Sequence, residues 1–163
     1  MPDIARASKM LMSAEEFLVY PLSDAERAEL VRGELRVTPP PGAPHAVVAS
    51  NLAFLLSAHV RKLRAGQVFS DGAGYQLLDL PNTVRVEVLS PSETASALEE
   101  KLDDYGACGT PLIWVVDPTR RTVMIVACDA PVRWLREEDT LDGGGVLPGF
   151  ACAVADLFEG VAR

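Results

Sequence analysis

The sequence predicts an α/β fold in which helices pack on a central β-sheet. Residues 83–105 have the pattern of a strand, a turn and a helix, and residues 45–64 that of one long helix with an apolar side. Residues 112–116 are a near-continuous apolar run, typical of a central strand, and residues 122–127 return beside it. Strands that alternate with helices favour a sheet covered by helices.

The strand within residues 83–105 separates apolar from charged side chains. Val84, Val86 and Val88 alternate with Arg85 and Glu87. Because successive side chains of a strand point to opposite faces, the valines share one face and the two charged residues share the other. The Glu87 carboxylate is therefore available to contact the element that packs on this face of the strand.

The helix that follows this strand carries a lysine on its apolar face. Residues 90–92 end the strand, Ser92 is the expected N-cap, and Glu93 lies toward the positive end of the helix dipole. The face at positions i, i+3, i+4 and i+7 consists of Leu98, Lys101, Leu102 and Tyr105. Since an unpaired ammonium is costly to bury, Lys101 needs a partner, and the Glu87 carboxylate is the natural one.

Two interpretations of this pair stay open on spacing alone. In the first, the stretch is an ordinary strand–turn–helix unit, Lys101 extends its charge to solvent from the edge of the core, and Glu87 is solvated. In the second, the pair is half of a metal-dependent hydrolase site. There the carboxylate holds a divalent cation, and the lysine stabilises the attacking hydroxide or the charge that develops on phosphorus.

Length and composition indicate one folded domain. The chain has 163 residues, of which 48% are hydrophobic, which is enough for a substantial core. Residues 1–12 hold no apolar segment of signal-peptide length, and no continuous apolar run approaches the ~20 residues of a membrane span. We expect a single domain over residues 1–163 with a flexible tail at 1–10, a cytoplasmic location and no membrane partner.

Charge and cysteine content limit the chemistry. The net charge of −8 argues against strong non-specific binding to nucleic acid, although an acidic site can hold Mg²⁺ and a local basic patch can still guide DNA. The densest basic cluster, within residues 61–64, is expected to be a solvated helix end. The three cysteines are far apart and odd in number, which favours reduced, small core residues over a zinc site. They are Cys108, Cys128 and Cys152.

Several shorter elements complete the predicted order. Residues 13–16 have the pattern of a capping box and begin a helix that runs to Tyr20, and residues 23–26 repeat the pattern. Two strands are expected around a turn at Arg32 and Gly33. Further elements are the strands 67–70, 74–78 and 132–135, a loop at 143–145 that lacks the flanking strand and helix of a phosphate cradle, and a last helical half-turn at 154–158.

Seven motifs in a fixed order carry a resemblance to a known family. They are Met12–Phe17, Glu29–Leu35, the proline-rich loop with His45, Val86–Ser92, Lys101 with Tyr105, Ile113–Pro118 and Leu147–Phe150. Together they resemble the Uma-two family of restriction endonucleases, within the PD-(D/E)xK nuclease superfamily, over residues 11–158. The resemblance implies a mixed β-sheet flanked by helices, with a restriction-endonuclease-like core, and metal-dependent hydrolysis of phosphodiesters in DNA.

The resemblance also implies roles for individual residues. Glu29 matches the glutamate that precedes the sheet, Glu87 the strand glutamate, and Lys101 a lysine relocated from the strand to the next helix. Glu29 and Glu87 would bind Mg²⁺ or Mn²⁺, and all three residues would form the catalytic site. Glu34 competes with Glu29 for its role, and His45 could approach the substrate.

One departure from the family bears on activity. The family's Pro-Asp strand normally precedes the strand that holds the glutamate, but here Arg85 is joined directly to Val86. Asp71 and Asp79 match loop positions and do not replace the missing aspartate. We therefore expect the cation to be held weakly, with water in most of its shell, and hydrolysis to be impaired. The lost strand would also leave a sheet edge that favours a homodimer.

Two other functions are compatible with the sequence. The chain could be a non-catalytic relic of the nuclease fold that serves as a binding or dimerisation module. It could also be an acidic protein-interaction domain unrelated to nucleic acid. DNA cleavage that depends on divalent cations and on Glu87 and Lys101 separates the first hypothesis from both alternatives.

Overall fold

The computed structural model describes residues 11–21, 27–38, 40–69, 83–91 and 93–162. The chain forms two compact units, Met1–Pro41 and Gly42–Arg163, and the single-domain organisation stays a prediction. Five predicted features lie outside the described residues. They are the tail at 1–10, the helical turn at 23–26, the strand at 74–78, and the side chains of Asp71 and Asp79.

The N-terminal unit begins with a short capped helix, α1 (Ala14–Leu18). The Ser13 backbone N–H donates to Glu16 Oε2 at 2.7 Å, and the Glu16 N–H donates to Ser13 Oγ at 3.2 Å. These reciprocal bonds satisfy two donors that a helix start leaves without partners, and they confirm the predicted capping box.

A β-hairpin forms the rest of the described N-terminal unit. Strands β1 (Arg27–Val31) and β2 (Glu34–Thr38) pair antiparallel. Both turn residues, Arg32 and Gly33, have positive φ angles, of 51° and 84°. Such a turn matches the right-handed twist of the two strands, so the predicted hairpin is confirmed.

Among the described residues, the C-terminal unit is built on a mixed sheet of four strands in the order β3-β4-β5-β6. Its elements are α2 (Ala43–Leu63), β3 (Val84–Val88), α3 (Ala95–Ala107), β4 (Leu112–Asp117), β5 (Thr122–Ala127), β6 (Ala130–Leu135), β7 (Thr140–Asp142), β8 (Ala151–Ala153) and α4 (Val154–Leu157). β3 is parallel to β4, and α3 forms the crossover that a parallel pair requires. β7 and β8 form a separate two-stranded ladder.

The two faces of the sheet bury different helices. On one face α2 and α4 pack against the β3 valines and Trp114, which is fully buried. On the other face α3 packs against Ile113 and Val115 through Tyr105. Alternation along β4 explains this division, because neighbouring side chains enter opposite cores. The predicted mixed sheet with helices on its faces is confirmed, and Trp114 is a core residue as expected.

Helix α2 is the main apolar layer on its face. It begins after Gly42 with Pro44 in its first turn and ends at Arg64, whose φ is 53°. By length and composition alone it could cross a membrane. Its row of Val48, Leu52, Leu56 and Val60 is buried in this unit. The basic residues of its last turn are exposed, as predicted for a solvated helix end.

Four local expectations are corrected. The N-cap of α3 is Thr94, not Ser92, because Thr94 Oγ1 accepts the Ala97 N–H at 3.2 Å. Residues 67–69 have no regular structure, so the described part of the predicted strand 67–70 is wrong. The three-residue strands β7 and β8 were missed because they are too short to show alternation. Cys128 is exposed and is not a core residue.

Gly143 makes a close approach in the loop between β7 and β8. The Leu147 backbone N–H donates to the Gly143 carbonyl at 2.9 Å. A Cβ atom on Gly143 would lie 2.5 Å from the Leu147 carbonyl oxygen, whereas one on Gly145 would meet nothing within 4 Å. The glycine run therefore has a packing role at its first position, and not at its third.

We predict that Gly143→Ala lowers the free energy of unfolding by about 1–3 kcal/mol, because the added methyl group overpacks the loop. Gly145→Ala is the matched control and should change stability by less than about 0.5 kcal/mol. Urea denaturation followed by circular dichroism measures both values. Equal stabilities of the two variants would contradict the close approach at Gly143.

We also predict different reactivities for two cysteines. Burial, with a smaller effect of the Asp156 charge, raises the pKa of the Cys152 thiol to about 11. At pH 8 this thiol is therefore protonated and reacts slowly with iodoacetamide, and its rate should rise about tenfold per pH unit up to pH 11. Exposed Cys128 should be alkylated first. Mass spectrometry of timed digests measures the order, and equal rates at pH 8 would refute it.

Candidate active site

The Glu87 side chain lies on the α3 face of the sheet, near the C-terminal end of β3. It is only 14% exposed. The alternation of β3 places the valines toward the core under α2 and leaves Glu87 beside α3. A carboxylate this far from water needs donors, and α3 supplies them.

Two α3 side chains, one turn apart, donate to Glu87. The Lys101 ammonium donates to Glu87 Oε2 at 3.2 Å, and the Tyr105 hydroxyl donates to Oε1. Both carboxylate oxygens are thus engaged. The structure contains the expected contact between Glu87 and Lys101, whereas their catalytic roles stay predictions. Tyr105 is buried as expected, and its bond to Glu87 adds a positioning role that periodicity alone could not reveal.

A second carboxylate, that of Glu93, joins this network. Glu93 Oε1 is 3.1 Å from Lys101 Nζ, and its side chain is also 14% exposed. Since Glu87 Oε2 is 3.2 Å and Glu93 Oε1 is 3.1 Å from the ammonium, those two oxygens are no more than 6.3 Å apart. Sequence analysis treated Glu93 only as a charge near the helix start. The turn in which its N–H donates to the Ser90 carbonyl brings it over Lys101.

Arg85 adds a second cation near the network. Its guanidinium lies over the Tyr105 ring, 5.5 Å from the ring centroid. Exposed ion pairs contribute about 0–1 kcal/mol, but removing one partner of a buried pair costs about 3–5 kcal/mol. At 14–19% exposure this network lies between these limits. It stabilises the packing of α3 on β3 as well as forming a candidate site.

The residues of the network permit only a loosely held divalent cation. Mg²⁺ prefers carboxylate oxygens and often keeps several waters with one or two protein ligands. Glu87 and Glu93 can provide two such ligands if Lys101 turns aside, because its ammonium lies between them. Within the described part of the chain, no group of three or more His, Cys, Asp or Glu side chains could hold a metal ion.

The remaining predicted site residues lie on other elements. Glu29 is exposed on β1, opposite Arg36 in the hairpin register, and Glu34 is half-buried at the start of β2. Both belong to the N-terminal unit, and their approach to Glu87 stays a prediction. His45 is half-buried in the first turn of α2, the helix that packs on the face opposite Glu87, so the fold does not favour its approach to that carboxylate.

An open groove of about 370 Å³ adjoins the network, and we call it the α3 groove. Glu93 is part of its lining and links it to Lys101. The first two turns of α3 form one side, and β4 and β5 form the floor. Its other lining residues include Ala95, Leu98, Val115, Asp117, Arg120, Met124 and Trp134.

Comparison with known proteins identifies the family. A family model described as "Uma2: Putative restriction endonuclease" matches residues 14–85 and 78–155. The chain belongs to the Uma2 family. The expected resemblance is thereby confirmed over nearly the whole chain, and it places this Uma2 protein with nuclease-like proteins. A search of curated proteins gives no significant match.

A solved structure supports the fold. The Uma2 chain is similar to the crystal structure of "a putative nuclease belonging to DUF820" from Anabaena variabilis ATCC 29413. The TM-score is 0.70 at 17% identity, and the match covers 89% of this chain and 96% of the other. At this identity the likeness establishes the fold alone, and it confirms the predicted nuclease-like core.

We predict that Tyr105→Phe lowers the free energy of unfolding by about 1–3 kcal/mol, because Glu87 Oε1 loses its donor in a half-buried place. Combining it with Glu87→Gln should cost less than the sum of the two single changes, since both act on one network. Urea denaturation of the four proteins measures the coupling. Tyr20→Phe, outside the network, is the control, and additive effects would count against a shared network.

Proposed function

We propose that this Uma2 protein is a metal-dependent endonuclease that hydrolyses phosphodiester bonds of DNA at a reduced rate. The observation that carries the proposal is the half-buried contact of 3.2 Å between Lys101 Nζ and Glu87 Oε2. A fixed ammonium beside a carboxylate, at the end of a strand in a nuclease-like fold, suits a reaction in which negative charge develops on a phosphoryl group.

Each side chain has a distinct task in this proposal. Tyr105 orients the Glu87 carboxylate, which would be a metal ligand together with Glu29. Lys101 stabilises the charge of the phosphoryl group once a substrate draws it from its resting carboxylates. A bound Mg²⁺ or Mn²⁺ would polarise the phosphoryl oxygen and lower the pKa of an attacking water. Glu93 neutralises Lys101 in the resting protein and keeps it close to Glu87.

The reduced rate follows from the missing Pro-Asp strand. The two regions matched by the family model overlap at residues 78–85. An overlap of this kind is expected where a chain lacks a family segment, because the same residues can then align on both sides of the gap. It supports the interpretation that Arg85 and Val86 join where other members continue into another strand. With fewer fixed ligands, we expect weaker cation binding.

A non-catalytic role is the second candidate. Both oxygens of Glu87 are engaged by donors of α3, and Lys101 lies between two carboxylates, so the network is complete without a cation. This observation favours a relic of the nuclease fold that binds a partner or a second copy of itself. The cytoplasmic location and the homodimer stay predictions under both candidates.

We predict slow DNA cleavage that requires Mg²⁺ or Mn²⁺ and that falls by about 10²–10³-fold in Glu87→Gln and Lys101→Ala, because each change removes a preorganised charge. Glu99→Ala and Lys62→Ala remove exposed charges outside the network and should cleave like the unchanged protein. Gel assays with a labelled oligonucleotide measure the rates.

Calorimetry with Mn²⁺ separates the two candidates. Weak binding that is lost in Glu87→Gln supports the endonuclease. If no cation binds and no variant alters the background rate, the protein is not a hydrolase. DNA binding that persists and weakens with salt would then support the binding module.

A further inference from the structure

Trp134 is a large apolar side chain exposed to solvent. It lies on β6 and is 62% exposed, whereas the only other tryptophan of the chain, Trp114, is fully buried. Tryptophan exposed beside a cavity is typical of binding surfaces, because the ring offers a flat apolar area at a small entropic cost. The proposed hydrolysis centre does not use Trp134. Single exposed apolar side chains are common on protein surfaces, so a binding role for Trp134 depends on the groove beside this ring.

The strand register aligns Trp134 with Glu87. Glu87 is opposite Val115, Val115 is opposite Met124, and Met124 is opposite Trp134. Residues in one such row point to the same face of a sheet, so Trp134 is on the face that carries the carboxylate. With strands about 4.8 Å apart, the two ends of the row are about 14 Å apart at their Cα atoms.

The α3 groove occupies the space between these two ends. Val115 and Met124 line it, α3 contributes Ala95 and Leu98, and Trp134 forms the opposite rim. The groove volume, about 370 Å³, is within the ~300–1,000 Å³ of small-ligand sites. Glu93 lines the groove and contacts Lys101, so the groove leads from the aromatic ring to the charged network.

One end of the groove suits a phosphate. The Arg120 side chain is 77% exposed there, and its distance from the Asp117 carboxylate is 3.8 Å, a contact that contributes little. Asp117 Oδ1 instead accepts the backbone N–H groups of Thr119 and Arg120, at 2.8 and 2.9 Å. The Arg120 guanidinium can therefore turn toward an anion without leaving a bare carboxylate behind.

We propose that Trp134 is a stacking platform for a nucleobase and that the α3 groove holds an unpaired nucleotide of the nucleic-acid substrate. The inference rests on the proposed function and names its substrate class as single-stranded or locally opened nucleic acid. An aromatic face binds any base but cannot reach one that is stacked inside a duplex. Arg120 contacts the backbone, and the neighbouring phosphodiester lies toward the Glu87–Lys101 network.

Tryptophan fluorescence tests the platform directly. The full chain is titrated with a short single-stranded oligodeoxythymidine in EDTA and low salt, so that binding is measured without cleavage. Stacking should quench the emission of Trp134, and buried Trp114 should contribute a constant background. Fluorescence anisotropy of the same oligonucleotide carrying a dye measures the affinity of the variants that lack this tryptophan. Trp134→Ala should weaken binding roughly 10- to 100-fold, the range that base–aromatic stacking contributes. Trp134→Phe should retain part of the affinity, and the matching duplex should bind less tightly.

Phe54→Ala is the matched control. Phe54 is 73% exposed on α2, which packs on the opposite face, so its removal should leave binding unchanged. The proposal would be overturned if Trp134→Ala bound with unaltered affinity or if the unchanged protein did not bind at all. It would also be overturned if the emission fell as the protein concentration rose and the molecular mass doubled, because the surface would then bind a second copy of the chain. Quenching without cleavage in Mg²⁺ would support the platform and refute the hydrolase. Cleavage that is unchanged in Trp134→Ala would support the hydrolase and refute the platform.

Discussion

The need to neutralise charges that have left water governs the arrangement of β3 and α3. Glu87, Glu93 and Lys101 are each less than one-fifth exposed, and each would be costly alone. Their mutual contacts hold α3 at a fixed position along the strand, and the Tyr105 hydroxyl completes the carboxylate's bonds. The same helix closes the smaller apolar cluster of the sheet. Electrostatic pairing and apolar packing therefore favour the same position of α3.

This pairing has two consequences for chemistry. A side chain held by several partners is preorganised, which favours catalysis, because little has to reorient during the reaction. Yet under the proposed function a cation must compete with an ammonium that both carboxylates already bind. The balance between these effects sets how much of the protein holds a metal ion. A site in which several acidic residues face one another, without a lysine between them, would bind the ion without this competition.

Much of the fold was predictable because it follows from local periodicity. The alternation of β3, the apolar face of α3 and the positive-φ turn at Arg32 and Gly33 are local patterns, and the structure contains all three. The contact between Glu87 and Lys101 was also predictable, from the faces of two neighbouring elements, but other contacts that depend on the path of the chain through space were not. Glu93 reaches Lys101 through a turn whose geometry no pattern specifies, and β7 and β8 are each shorter than two periods of alternation. The row that joins Glu87 to Trp134 required a strand register, which a single sequence does not provide.

The two faces of β3 meet different environments, one apolar and one charged, and this restricts which insertions and deletions the gene can accept. Inserting or deleting one codon within residues 84–88 would exchange the sides, sending the Glu87 charge into the hydrocarbon layer beneath α2 and a valine toward Lys101. Point substitutions at these positions leave the alternation intact and can be tested by selection one at a time. Variation in length is therefore expected to collect in the connecting loops, while this five-residue segment keeps its number of residues.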